Sequence, residues 1–593
     1  MLYPTLNTIE TGRVMTERFG GYNHNDRISE SEFYYTANLT TDMYPLAASR
    51  KKRGIISKLT SPSGLAVKDS LVYADGSSLY YNGNRVEGIT LSTLPENCPK
   101  KFVSMGAYLC IFPDKIYLNT ADMTDFGYME KSYKAADGTK ITYCLCGSDG
   151  TAYDSVTASD TEPQDPQNGD YWVDTSSKPH ILKQYSSSLS MWAECASVYV
   201  KIEAAGIGSG FSEGDGVRIN GCTCEDEELN EQLKTLNATL TLKAASDNYI
   251  VVTGIIDEAV TVTASGGNGI SVERKVPKMD FVTECQNRLW GCYYGIEDGK
   301  TVNEIFCCKL GDFKNWETYA GISTDSFRAS CGTDGVWTGA ATYLGYPFFF
   351  KENYVHKVYV SSTGAHQCVS AAVEGVEKGS AESMTTVGDL LFYKAPSGIN
   401  AFDGTSAVSV SEALGQERYN SAVGGRQGNK YYIAMKNTDG ETSVFVYDVQ
   451  KGFWIREDDK DIKFFADMGG ELYFIDSEGN LGTMGGSAGV LEDDFSWEAE
   501  SGMIGCDYYG KKYISRLNLR MSLEKNCPAE FFIQYDSDGK WEKRGVVRGM
   551  GKGVTFTLPI VPRRCDHLRF KIKGEGEFRL YSITRVLEKG SDM

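Results

Sequence analysis

The stretch Asp389-LLFYKAPSGINAFDG-Thr405 shows the pattern that decides the fold. An apolar, aromatic run leads through a polar turn with glycine into a second aromatic run, which is typical of a β-hairpin with packed faces. Related units begin at Tyr346, Lys430 and Glu471, so the four starts recur at 43, 41 and 41 residues. One four-stranded blade occupies roughly 40–50 residues, and the spacing therefore predicts a β-propeller of about six blades.

Three similar hairpins precede these units: Asp69-SLVYADGSSLYYNG-Asn84, Gly106-AYLCIFPDKIYL-Asn119 and Asn287-RLWGCYYG-Ile296. The composition has 36 Tyr, 26 Phe and 63 Gly but only 15 Pro, which favours many short strands joined by glycine turns and hence an all-β protein. A β-sandwich also contains frequent hairpins and stays open as an alternative, but the longer repeat favours the propeller.

The hairpin series is interrupted between Asn119 and Asn287, which predicts an inserted small β-rich domain at residues 134–276. Its helix candidate is Glu225-DEELNEQLKTL-Asn237, with three leucines on one face. Residues 486–593 alternate apolar and charged side chains and predict a C-terminal β-sandwich domain. The propeller then comprises residues 61–133 and 277–485, and residues 1–60 form an N-terminal docking arm.

The formal net charge of −19 argues against a basic groove that holds nucleic acid by neutralising phosphates. No stretch is long and apolar enough to span a bilayer, and the first residues lack the pattern of a secretory signal. We therefore expect synthesis in a cytoplasm and no membrane anchor. The 16 cysteines have irregular spacing, which favours buried reduced thiols over a disulfide framework.

Sequence patterns for catalysis or metal binding are scarce. None of the five histidines lies in HExxH, and no CxxC pair is present, so we predict no cofactor, metal site or catalytic set. The pairs Cys144/Cys146 and Cys222/Cys224 allow a metal but favour buried thiols. The acidic groups Glu457-Asp458-Asp459 and Asp536-Ser-Asp538 are expected to be exposed turns, although paired carboxylates are also what a glycosidase needs.

Three aromatic residues of the inserted domain have two interpretations. Tyr171, Trp172 and Trp192 can form a flat platform for a sugar at the surface, since aromatic rings stack on apolar sugar faces. The same spacing is also that of a three-stranded minidomain whose aromatic side chains face inward. Core packing is the commoner role of such residues.

The N-terminal stretch Phe19-GGYNHNDRISESEFYYTANLTTDMYPLAASRKKRG-Ile55 resembles the opening of phage tail-nozzle, or packaged-DNA stabilisation, proteins. A glycine-rich start is followed by an Asn-x-x-x-Asp-x-Tyr-Pro segment and a basic close. The positions that match this pattern are Asn38, Asp42, Tyr44, Pro45, Arg50 and Arg53. Other segments similar to the family are Gln286-NRLWGCYYG, Phe349-FKENYVHKV, Phe445-VYDVQKGFW and Pro562-RRCDHLRFKIKGEGEF.

This resemblance implies a virion protein without catalytic activity, one of about six subunits in a homo-oligomeric ring below the portal and adaptor proteins. Such a ring retains packaged DNA, touches it transiently and without specificity, conducts it during ejection and also meets tail fibres. Tyr44, Pro45 and the cluster Arg50-Lys51-Lys52-Arg53 are the candidate docking residues, with a solvated loop as the alternative. Two other functions stay open: a virion propeller that binds or depolymerises host carbohydrate, and a cellular scaffold.

Overall fold

The computed structural model describes residues 11–94, 99–267, 269–297, 299–361, 365–508, 510–558, 560–561 and 563–589. These residues form a nearly all-β protein of many small, mostly antiparallel sheets, as predicted, and their only α-helix is Glu227–Lys234. The chain divides into two compact units. The first comprises Met1–Lys100, Phe349–His356 and Ser370–Met593, and the second comprises Lys101–Phe348 and Lys357–Val369. None of the described helices is long and apolar enough to cross a membrane.

Seven small sheets follow the chain in order, and four of them belong to the first unit. Sheet 1 contains Pro62–Lys68, Ser70–Asp75, Ser78–Tyr81 and Asn84–Arg85. Sheet 5 contains Thr385–Val387, Leu390–Ala395, Gly398–Phe402 and Ala407–Ser409. Sheet 6 contains Tyr419–Gln427, Lys430–Asn437, Thr442–Asp448 and Phe453–Arg456. Sheet 7 contains Ile462–Met468, Glu471–Asp476, Asn480–Thr483, Gly54–Lys58 and Val490–Leu491.

The other three sheets lie wholly or partly in the second unit. Sheet 2 contains Lys101–Met105, Tyr108–Phe112, Ile116–Asn119 and Phe126–Tyr128. Sheet 3 contains Phe281–Glu284, Leu289–Glu297, Lys300–Cys307 and Phe327–Ser330. Sheet 4 has residues in both units and contains Gly339–Tyr343, Tyr346–Lys351, Tyr354–Val360 and His366–Ala371. Six of the seven hairpin units found in the sequence supply the second and third strands of one sheet, and the unit Asn287 to Ile296 supplies only the second strand of sheet 3.

Neighbouring sheets pack through their first strands and share apolar cores. In the first unit, the first strand of sheet 6 contacts those of sheets 5 and 7, and the first strand of sheet 7 contacts that of sheet 1. Tyr432 and Phe474 share one core between sheets 6 and 7, while Tyr73 and Ile475 share another between sheets 1 and 7. In the second unit, sheets 2, 3 and 4 contact one another in the same order. The last sheet along the chain thus packs on the first.

Residues 11–60 are not a separate arm, which corrects the domain prediction. Gly54–Lys58 is a strand of sheet 7, with Gly54 opposite Thr483. A side chain at Gly54 would meet the carbonyl oxygen of Ala488 at 1.9 Å, so only glycine fits there. The earlier strands of this segment join the C-terminal sandwich. These strands have two to six residues each, and three of the four pair with strands hundreds of residues away, which is why the local sequence does not reveal them.

The C-terminal sandwich therefore has strands from both ends of the chain. Its seven-stranded sheet contains Thr11–Thr16, Leu39–Thr40, Ala47–Ser49, Lys512–Leu523, Gly553–Leu558, Arg564–Cys565 and Phe578–Lys589. Its five-stranded sheet contains Phe33–Ala37, Ser496–Ser501, Leu568–Glu575, Pro528–Tyr535 and Glu542–Arg548 in that order. Trp497 and Phe578 stack at 4.0 Å between ring centres in the common core. Pro562, the first residue of one segment similar to the nozzle family, lies outside the described residues.

The inserted domain, in the second unit, has its own core of 23 buried apolar residues. Its first sheet contains Lys131–Lys134, Ser271–Arg274, Gly216–Asn220 and Thr239–Thr241. Its second contains Ala244–Ser246, Tyr249–Thr253, Tyr199–Glu203, Lys140–Cys146 and Val260–Thr263. Its third contains Val156–Ser159, Tyr171–Asp174, Ile181–Ser186 and Met191–Glu194. The predicted helix is present: Asp226 caps its first turn, and Leu229 and Leu233 are buried.

Candidate docking surface

The residues that match the nozzle-family opening form one cluster in the first unit. The side chain of Asn38 donates to the carbonyl of Ser496 (2.8 Å) and accepts a hydrogen bond from Arg50 Nε (2.7 Å). Asp42 forms an ion pair with Lys430 (2.5 Å). Burial alone would raise the pKa of Asp42, but the ammonium group of Lys430 outweighs it and holds this pKa below its usual value. These contacts fix both ends of the loop that contains Tyr44.

Arg50 and Arg53, which we call the buried arginine pair, bind three carboxylates. Arg53 is 1% exposed and contacts Glu457 (2.8 Å) and Asp458 (2.5 Å). Arg50 pairs with Glu492 and lies 3.6 Å from Asp458. The guanidinium of Arg50 also covers the ring of Phe495 at 4.0 Å. The pair therefore fastens the N-terminal segment to the strand that ends sheet 6 and to the residues that precede the sandwich.

This network changes two expectations from the sequence. Glu457 is 4% exposed, and the side chain of Asp458 is 15% exposed, so the Glu457-Asp458-Asp459 group is not an ordinary exposed turn. Burial alone would raise the pKa of Asp458, but Arg53 and Arg50 more than compensate and lower it. The three carboxylates were not predicted as partners of the basic cluster. The signal for them was the presence of one basic run, Arg50 to Arg53, and of the acidic runs Glu457 to Asp459 and Glu492 to Asp494 in the same chain.

The surface left for docking is consequently smaller than predicted. Lys51 is exposed and Lys52 is partly exposed, with an ion pair to Asp494 at 2.5 Å. Tyr44 is 40% exposed and is followed by exposed Pro45. The ring centre of Tyr44 lies 5.6 Å from that of Phe453, so the two rings pack against each other. The predicted docking role therefore falls on Tyr44, Pro45, Lys51 and Lys52, which the buried arginine pair holds in place.

The aromatic residues of the inserted domain lie on both faces of its third sheet. Tyr171 stacks on Tyr153 at 3.8 Å on the core side. Trp172 is buried on the other side, donates to the carbonyl of Ser159 (3.1 Å) and packs edge-on against Trp192 at 5.6 Å. Of the two tryptophans, Trp172 is buried and Trp192 is half-buried. The structure thus does not bring the three residues together as one flat platform.

The charged groups beside these rings are also paired. Lys183 lies 4.6 Å from the ring centre of Trp172 and forms an ion pair with Asp174 at 2.7 Å. Hydrogen bonds from Lys183 and Ser176 lower the pKa of Asp174 to about 2. Asp174 is therefore a structural anion at neutral pH, because its carboxyl stays ionised far below that range.

The cysteines of the described residues are all free thiols. Cys146 and Cys222 are buried, and burial raises the pKa of each to about 12. Cys144 and Cys224 are partly exposed. Within the part of the chain that the structure describes, no group of three or more His, Cys, Asp or Glu side chains is arranged to hold a metal ion.

No protein-family model and no curated protein matches this chain. Among solved structures, BamB from Moraxella catarrhalis is 11% identical, with 79% of this chain and 97% of that chain covered and a TM-score of 0.27. The computationally designed Ika8 protein is 11% identical over 72% and 99% of the two chains, with a TM-score of 0.28. An exo-beta-1,3-galactanase from Phanerochaete chrysosporium is 10% identical over 51% and 94%, with a TM-score of 0.21. Similarity of this size indicates neither a shared activity nor a shared ligand.

Proposed function

We propose that this chain is a structural subunit of a phage tail, a nozzle or neck component that forms a ring below the portal and adaptor proteins. In that position it retains packaged DNA and conducts it during ejection. The observation that carries the proposal is the cluster at the N-terminal segment. Of the six positions that match the nozzle-family opening, which span 16 residues, Tyr44 packs on Phe453 in the last strand of sheet 6, and the buried arginine pair binds the acidic residues after that strand. Asp42 pairs with Lys430 in the second strand of the same sheet. These positions hold the N-terminal segment against sheet 6. A sequence motif shared at such positions therefore supports a fold shared with the nozzle family.

The proposal includes a closed propeller of seven blades. Two features support closure: sheet 7 packs on sheet 1, and sheet 7 takes one of its strands from residues that precede sheet 1. A strand borrowed from the other end of the domain joins the first and last blades. Closure of the sheets into a ring also removes the exposed lateral surfaces that isolated blades would present.

Mass photometry tests the assembly. The purified chain should form a closed ring of about six copies when it is mixed with the portal and adaptor of its own phage. Replacing Tyr44 by Ala and Lys51 by Glu should weaken this binding without unfolding the chain, since both side chains are exposed. The control is the Arg85→Ala/Arg418→Ala variant, which changes two exposed residues outside the docking surface and should bind like the natural chain. A chain that stays monomeric and ignores the portal would refute the proposal.

A second candidate function is the binding of host carbohydrate by the inserted domain. It is supported by the half-buried ring of Trp192, which packs edge-on against Trp172 at 5.6 Å between ring centres. Glycan-array binding of the full chain and of its Trp192→Ala variant tests this candidate. Binding that is lost in the variant would favour it, and no binding by the natural chain would exclude it.

A further inference from the structure

The two outer faces of the C-terminal sandwich differ in their charges. On the seven-stranded sheet, Leu517, Leu519 and Met521 point into the core, so the residues that alternate with them point outward. The outward positions of this sheet include four arginines, which we call the arginine face: Arg13, Arg516, Arg520 and Arg579. All four are exposed. Residues 496–593 contain 18 Lys and Arg but 13 Asp and Glu, a net charge of +5 in a chain of −19.

The arginine face is not neutralised by the sheet that carries it. Among the described residues, no carboxylate lies within ion-pair distance of Arg13, Arg516 or Arg520. Arg579 has one weak partner, Glu577, at 4.0 Å. Glu588 is the one acidic residue on the outward side of these strands, at the end of the sheet and opposite Tyr513. Four guanidinium groups thus face solvent with their charge essentially uncompensated.

The five-stranded sheet of the same sandwich shows the opposite arrangement. Its outer face pairs Arg569 with Glu500 (2.5 Å), Lys571 with Glu498 (3.2 Å) and Lys543 with Glu530 (2.5 Å). Cross-strand pairs of opposite charge are how an exposed sheet face normally balances its charges. The two faces belong to one small domain, so the unpaired arginines are a local property of one sheet and not of the composition of the domain.

The spacing and the chemistry of the arginine face suit phosphate groups. Arg516 and Arg520 are four residues apart on one strand, a distance of about 14 Å, and Arg13 and Arg516 flank Val586 from two strands, about 10 Å apart. The accessible residues between the arginines on the central strands carry hydroxyl or amide groups: Asn518, Thr555 and Thr557. Arginine, serine, threonine and asparagine are the side chains that contact phosphate and sugar in complexes with DNA.

We propose that the arginine face binds the sugar–phosphate backbone of duplex DNA without sequence specificity. The proposal deepens the proposed function, on which it rests, because it names the surface where the chain meets the DNA. Electrostatic screening over about 8–10 Å lets a local basic face act despite the acidic remainder of the chain. The net charge of the whole chain, from which we expected no basic nucleic-acid surface, hides this face.

An acidic protein surface is the competing partner. The inserted domain, residues 134–276, has 21 Asp and Glu against 10 Lys and Arg, so a second copy of the chain offers one. Interfaces between proteins, however, are centred on apolar and aromatic anchors that become fully buried. The row across the middle of the arginine face is Thr557, Asn518, Thr584 and Met15, in which the one apolar side chain, Met15, lies on the outermost strand. The composition therefore favours a phosphate backbone.

Fluorescence anisotropy with a labelled mixed-sequence duplex of about 30 base pairs tests the proposal on the full chain, with sodium chloride varied from about 50 to 200 mM. Binding should weaken with salt by a slope of about −0.9 per phosphate contacted. The Arg516→Ala/Arg520→Ala variant should bind at least about tenfold more weakly at low salt and lose about 2 from the slope. The control variant Arg85→Ala/Arg418→Ala removes the same charge from exposed positions elsewhere and should bind like the natural chain.

Three results would overturn the proposal. Failure of the natural chain to bind duplex DNA at the lowest salt concentration would refute the proposal. Equal losses in the two variants would show that only the total charge matters. DNA binding that survives the loss of Arg516 and Arg520, together with weaker self-association in mass photometry, would assign the face to an interface between copies. Ring assembly on the portal is measured separately, so failure of DNA binding and failure of the proposed function are distinguishable.

Discussion

The buried arginine pair and the arginine face contain the same residue type in opposite circumstances. Arg50 and Arg53 are enclosed and meet three carboxylates, whereas Arg516 and Arg520 are exposed and meet none. A buried charge requires a partner, because desolvation without one costs several kcal/mol, while an exposed charge is solvated by water. A basic run in a sequence can thus be buried in ion pairs that stabilise the fold. Arginines that are scattered in the sequence can form the accessible charged surface.

The largest effect is expected at the buried arginine pair. Replacing Arg53 by Met should lower the free energy of unfolding of the first unit by about 3–5 kcal/mol, because it leaves Glu457 and Asp458 without their main partner. Denaturant unfolding measures this change. The Lys52→Met variant is the control and should unfold like the natural chain, since Lys52 is only weakly enclosed. Equal stability of the Arg53→Met variant and the control would contradict the assigned role.

Acid should also act on the buried arginine pair. The pKa of Asp458 is lowered in the folded chain, so its contribution to stability is fully present above the unfolded value of about 3.9 and is lost as pH falls through the lower folded value. Stability measured from about pH 6 down to pH 2 should therefore fall more steeply in the natural chain than in an Asp458→Asn variant. Parallel curves for the two proteins would show that Asp458 does not contribute.

A smaller effect is expected at the arginine face. Exchange of Arg516 and Arg520 for Glu should change the free energy of unfolding by no more than about 0.5 kcal/mol per site, because neither side chain has an ion-pair partner to lose. Thermal or denaturant unfolding of the double variant checks this. A loss as large as that of Arg53→Met would mean that the arginines support the sandwich, and the contrast between the two clusters would disappear.

The smallest stability effect is expected at the exposed docking residues. Lys51→Glu should leave unfolding unchanged, because the side chain is exposed, and should act only on binding to the adaptor. Differential scanning calorimetry and mass photometry of the same sample separate the two effects. A drop in stability without any change in binding would place Lys51 with the structural residues.

The sequence predicted what depends on neighbouring residues. Six of the seven predicted hairpins and the helix are present, because alternation, turn glycines and helical spacing are local signals. Contacts between distant residues were not found: Arg53 and Glu457 are 404 positions apart, and strand Phe33–Ala37 pairs with Ser496–Ser501. The net charge of the chain also gave a wrong expectation about basic surfaces, because it sums over surfaces that the fold keeps separate. Only the pairing of strands shows which arginines share a face.

Cryo-electron microscopy of the chain mixed with the portal and adaptor proteins of its phage tests the central claim most directly. We expect a closed ring of about six copies below the adaptor, each a seven-bladed propeller that contacts its neighbours or the adaptor through the segment around Tyr44. Single copies that do not attach to the portal and adaptor would contradict this assembly. Attachment elsewhere on the virion, in the manner of a tail fibre, would also contradict it.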